Sequence, residues 1–66
     1  MRARVNGAER EVSPGMSVGA LVSEVTADAK AVAVAINRAV LPRKEWSEVR
    51  VKEGDDIEII APFHGG

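Results

Sequence analysis

The chain has no cysteine and no tyrosine, and only one histidine, one tryptophan and one phenylalanine. Without cysteine there is no disulfide framework and no thiolate metal site. With His64 as the sole histidine, a transition-metal centre lacks ligands. Ser13, Ser17, Ser23 and Ser47 have no histidine base at a workable spacing, so a nucleophile triad has no support. The six glycines form neither a dinucleotide fingerprint nor a phosphate loop. Glu53, Asp55, Asp56 and Glu58 straddle a turn without the spacing of a calcium loop. No apolar run reaches spanning length, and no basic segment leads an apolar one, so neither a membrane span nor a signal peptide is expected. The lack of cysteine fits a cytoplasmic location. A net charge of −1 argues against binding nucleic acid through phosphate neutralisation. No bound cofactor, metal, nucleic acid or membrane is therefore expected.

What remains is a single small domain of 66 residues. A chain this size buries about 60% of its unfolded surface. Its core rarely contributes more than about 3–5 kcal/mol, and it leaves little room for an enzymatic pocket. Charge is unevenly placed. Bases dominate up to Lys44. Beyond it come Glu45, Glu48, Glu53, Asp55, Asp56 and Glu58 against Arg50 and Lys52. This acidic half either steers the chain to a basic partner or is an ordinary solvated face.

Asn6-Gly7 is the strongest local signal, because it supplies the two positive-φ positions of a type I′ hairpin turn. The two-residue loop sets Val5 opposite Ala8, Arg4 opposite Glu9, Ala3 opposite Arg10, Arg2 opposite Glu11 and Met1 opposite Val12. Opposed residues share a face, so one face carries the pairs Arg4–Glu9 and Arg2–Glu11. The other carries Met1, Ala3, Val5, Ala8 and Val12. Arg10 is the exception, its stem lying on apolar surface with its head in water.

Ser13-Pro14-Gly15 breaks the strand. Ser17 is a natural N-cap for a helix starting at Val18, and Val18, Leu21, Val22 and Val25 form one apolar stripe. Residues 32–36 read as a buried strand, with Val32, Val34 and Ile36 on one side and Ala33 and Ala35 on the other. Asn37-Arg38 turns into a short strand at Val40-Leu41, which Pro42 ends. Arg43 to Ser47 reads as a helical turn or irregular segment, and Val49 and Val51 as a brief extended piece. Glu53-Gly54-Asp55 is a turn. The last strand spans residues 57–61, with Ile57 and Ile59 facing the core, and Pro62 ends it. Trp46 is read as structural, covering an open sheet edge. A hairpin, one helix, a strand pair and a final strand can close a two-layer α+β core. The sheet is mixed if the last strand pairs with the first.

The sequence ends in Gly65-Gly66. Diglycine has no side chain to pack and is costly to order, so it contributes nothing to a core. It does present a carboxylate that can enter a narrow tunnel and be activated there. The other reading is a frayed terminus. Phe63 either folds back onto the domain or stays available as a partner anchor. His64 reads as a solvated side chain.

Taken together, Asn6-Gly7, the strand at residues 32–37, Leu41-Pro42-Arg43 with Glu45-Trp46, Glu53-Gly54-Asp55, Ile57-Glu58-Ile59-Ile60 and the closing Gly65-Gly66 resemble the ThiS sulfur-carrier family over essentially the whole length. The resemblance implies a ubiquitin-like β-grasp domain at 1–61, a mixed sheet of four to five strands on one helix, and a flexible tail at 62–66. It implies a protein co-substrate rather than an enzyme. A ThiF-type adenylyltransferase uses ATP to adenylate the Gly66 carboxylate, sulfur replaces the adenylate, and a ThiG-type thiazole synthase takes that sulfur for thiamine biosynthesis. Gly65 then gives access, and Pro62, Phe63 and His64 are candidate partner-binding residues. The Pro62-Phe63-His64 stretch departs from the small or branched residues common in family tails, and its proline is nearer the MoaD-type carriers of molybdopterin synthesis. Carriage for molybdopterin or another sulfur-containing product, a protein modifier joined to lysines, and a non-catalytic β-grasp interaction module are the alternatives.

Overall fold

A computed structural model describes residues 1–61. Strands β1 (Arg2–Val5) and β2 (Ala8–Glu11) form the first hairpin. Its turn has Asn6 at φ 52° and Gly7 at φ 84°, the left-handed pair that a type I′ turn needs. The register is the expected one, with Arg2 opposite Glu11, Arg4 opposite Glu9 and Val5 opposite Ala8.

Helix α1 (Val18–Val25) follows. Ser17 caps it, its Oγ accepting from Ala20 N–H at 3.1 Å. The apolar stripe buries Val18, Leu21 and Val22 fully and Val25 in part. A single 3-10 turn at Ala29–Ala31 leads into β3 (Ala33–Ile36) and β4 (Ala39–Leu41). The connecting turn again uses two left-handed residues, Asn37 and Arg38, here without glycine. A second 3-10 turn, Arg43–Glu45, precedes β5 (Asp56–Ile60).

The five strands lie in the order β2-β1-β5-β3-β4. β5 is therefore central. It runs parallel to β1, with Val5 beside Ile57, and antiparallel to β3, with Ala33 opposite Ile60. The sheet is mixed, as the first-to-last pairing requires. Ala3, Val5, Val34 and Ile57 meet the helix stripe in one buried cluster with Val12, Val51 and Trp46.

Three expectations are corrected. Arg4 is opposite Glu9 but forms no ion pair among the described residues. Arg2 reaches both Glu9, at 3.1 Å, and Glu11, at 3.6 Å, because a long side chain spans the diagonal as readily as the direct pair. Ala8 lies on the apolar face yet is exposed, since β2 is an edge strand. Val49 and Val51 do flank a brief extended piece, since Val18 N–H donates to the Val49 carbonyl and Val51 N–H to the Met16 carbonyl, both at 2.9 Å, around the Ser17–Arg50 bridge. The last strand begins at Asp56 and ends at Ile60, one residue earlier at each end than expected. Arg10 behaves as its position demands. It extends across the sheet edge to Glu24 of the helix, 3.5 Å away.

Candidate functional site

The candidate site begins where the described chain ends. The expectations placed on Pro62, Phe63, His64, Gly65 and Gly66 fall outside the described residues. What the structure defines is the platform that delivers them.

β5 delivers the chain at Ala61 from the middle of the sheet. On one side stands the Asn6-Gly7 turn, because β1 runs parallel to β5 and ends at the same edge. On the other side stands the start of β3, because Ala33 opposes Ile60. The face of the sheet away from the helix changes character toward this exit. Arg2, Arg4, Glu9 and Glu11 occupy its β1–β2 half. Ala33, Ala35, Val40 and Ile60 occupy the other half together with the exposed Glu58, by alternation and by their cross-strand partners. Among the described residues, Val40 and Ile60 are the large apolar side chains left exposed, at 79% and 52%. An apolar patch beside the exit is thus open to a partner. Neither residue stands in a motif that marks a site. The available signal was Ile60, the apolar residue out of phase with Ile57 and Ile59.

Charge is largely committed near the far end of β5. The Asp55 carboxylate accepts from the Lys52 main-chain N–H at 2.8 Å and from the Asn37 side-chain amide at 3.2 Å. It organises the turn and is not held ready for a ligand. Glu11 accepts from the Met1 ammonium at 2.7 Å. That hydrogen bond and the charge behind it hold the Glu11 carboxyl below the ordinary glutamate range. Among the described residues, no group of three or more His, Cys, Asp or Glu side chains can hold a metal ion. A shallow hollow of about 260 Å³ between Arg2, Arg4, Glu9, Glu53 and Asp56 is open to solvent and lined by both charge signs.

Trp46 is buried, and its indole N–H donates to the Leu41 carbonyl at 3.0 Å. Leu41 belongs to the edge strand β4, so the bond ties the buried ring to that strand, in the structural role expected of it. Arg43 lies 4.7 Å over that ring and donates to the carbonyls of Ala29 and Lys30 at 3.0 and 2.8 Å. The Pro-Arg-x-x-Trp segment is thus a structural clasp between the two 3-10 turns.

A family model described as the ThiS family matches residues 3–66. The chain belongs to the ThiS family. It is 27% identical to the sulfur carrier protein ThiS of Escherichia coli, with both chains covered in full. It is 39% identical to a thiazole synthase of Paramagnetospirillum magneticum, where all of this chain spans one fifth of that protein's length. Among solved structures, the crystal structure of a thiamine biosynthesis protein (ThiS) from Geobacter metallireducens matches at 33% identity and a TM-score of 0.86, both chains covered completely. The solution structure of a thiamine biosynthesis protein from the same organism matches with a TM-score of 0.81 over 88% of its length. The ubiquitin-like β-grasp fold of the ThiS-family chain is therefore shared with solved relatives. No helix among its described residues is long and apolar enough to cross a membrane.

Proposed function

We propose that this chain is a sulfur carrier for thiamine biosynthesis, working through the carboxylate of Gly66. The observation that carries the reading is the ThiS-family match, which runs through the closing diglycine. The fold supports it, because the central strand β5 brings the described chain to the end of the sheet at Ala61. Five residues beyond Ala61 extend at most about 16–18 Å at roughly 3.3–3.6 Å each. That reach suffices to enter a buried catalytic centre while the domain stays outside.

The chemistry follows from leaving groups. A carboxylate oxygen is a poor one. Attack of the Gly66 carboxylate on the α-phosphorus of ATP expels pyrophosphate and makes an acyl adenylate. A sulfur nucleophile then attacks the acyl carbon, AMP departs, and a thiocarboxylate remains. A ThiF-type adenylyltransferase performs the activation, so ATP is bound by that enzyme and the carrier is its protein co-substrate. Gly65 offers no side chain to obstruct entry. Pro62, Phe63 and His64 contact the enzyme outside its catalytic centre, and the patch of Val40 and Ile60 lies against the same partner. The alignment of the whole chain with part of a thiazole synthase supports a ThiG-type thiazole synthase as the sulfur acceptor.

Intact-protein mass spectrometry tests the reading. After incubation with the adenylyltransferase, ATP and a sulfur donor, the chain should gain the difference between sulfur and oxygen. The same chain extended past Gly66 should gain nothing and keep its fold. An unchanged mass for the free-ended chain would sink the carrier reading.

A further inference from the structure

β1 stops before β5 does. The chain turns away at Asn6-Gly7, while β5 runs on to Ile60. On the β3 side the ladder continues to the Ala33–Ile60 pair. On the β1 side the last main-chain bond is Asn6 N–H donating to the Ile57 carbonyl at 2.9 Å. The next donor facing that side is Ile59 N–H. A continued β1 would meet it with a main-chain carbonyl, but the left-handed φ of 52° at Asn6 turns that carbonyl elsewhere. The Asn6 side chain substitutes for it, its Oδ1 accepting from Ile59 N–H at 2.8 Å. One asparagine thus brackets β5 with its backbone and its side chain, and extends the parallel ladder by one more bond.

We propose that Asn6 is a positioning residue for sulfur carriage: it fixes the register and direction in which β5 delivers the chain at Ala61, two residues past the bond. The inference rests on the carrier reading above. Asn37 provides an internal comparison at the other end of the same strand. It too is left-handed, and its Oδ1 accepts from Asp56 N–H at 3.0 Å. Both asparagines tie β5 to a turn, but only Asn6 does so at the exit.

Three measurements on Asn6→Gly, Asn6→Asp and Asn37→Gly separate positioning from mere stability. Glycine keeps the left-handed backbone of each turn and removes the acceptor; aspartate keeps both the acceptor and a tolerance for that backbone. In Asn6→Gly, amide exchange at Ile59 should quicken about fivefold, the factor expected for one net hydrogen bond. In ATP–pyrophosphate exchange with the ThiF-type enzyme, its KM should rise by about the same factor at unchanged kcat, because an unfixed exit must be ordered on binding. Asn6→Asp should restore both. Asn37→Gly should lower the melting temperature and leave KM alone. Unchanged Ile59 exchange in Asn6→Gly, an unchanged KM, or an equal KM rise in Asn37→Gly would each overturn the proposal. A wild-type chain that is not adenylated overturns the carrier reading and this inference together, before any variant is compared.

Discussion

At the scale of single residues, Glu11 makes a pH-sensitive contact. Its carboxylate is bound by the Met1 ammonium, which lowers its pKa. A depressed folded-state pKa contributes stability above the unfolded value, and that stability is lost as pH falls through the folded one. The contact is therefore fully present at neutral pH and disappears under acid conditions, below the usual glutamate range. Acetylating the Met1 amine removes the cation. A carbon-detected titration of the Glu11 carboxyl should then move back toward the ordinary range, and no movement would show that the ion pair is not made in solution.

Ile60 belongs to the same scale. It is half-exposed on the outer face, so its burial adds little to folding. Ile60→Asp should shift stability by no more than about 1 kcal/mol, the span of strand propensities. Affinity for the activating enzyme should fall about tenfold or more if the patch is covered on binding. Calorimetric titration checks it, and equal affinity of the two proteins would remove the patch from the interface.

Among the elements, α1 carries an improvable position. Gly19 is in its first turn, where its N–H donates to the Trp46 carbonyl at 3.0 Å. A Cβ built there would meet the nearest atom of Trp46 at 3.6 Å, an ordinary contact. Gly19→Ala should therefore stabilise the domain toward the lower end of about 0.4–1 kcal/mol through reduced freedom of the unfolded chain. A lower midpoint in urea would mean that the Trp46 segment has to shift to admit the methyl. The elements also show what a sequence can and cannot tell. The hairpin register, the Ser17 cap, the helix stripe and the Asn37-Arg38 turn were readable because each is set by residues close together in the chain. The ladder bond from Ile59 to Asn6 and the Arg43 clasp were not. Both join residues far apart in sequence, and neither leaves a local period or turn signature. The exposure of Val40 and Ile60 was hidden for a related reason. An apolar strand residue signals a buried face until the sheet order reveals that no second layer covers it. The platform that carries the chain out at Ala61 was not legible, because the sheet order that makes β5 central has no local signature.

For the whole molecule, the parallel pairing of β1 with β5 joins the two ends of the chain, since Arg4 lies beside Asp56. Such pairing closes a loop of most of the sequence before any reward is gained, which slows folding. It also means that the central strand is synthesised after the four strands it unites. A chain cut short after Gly54 lacks the strand between β1 and β3, and what remains is two separate hairpins and a helix with no common sheet. Such a fragment should show collapsed amide dispersion in its NMR spectrum, whereas native-like dispersion would mean that β5 is dispensable. The strand that completes the fold is thus the one that bears the outgoing end. A nascent chain therefore holds two hairpins in waiting, and the same strand that welds them into one sheet carries the backbone out of it at Ala61.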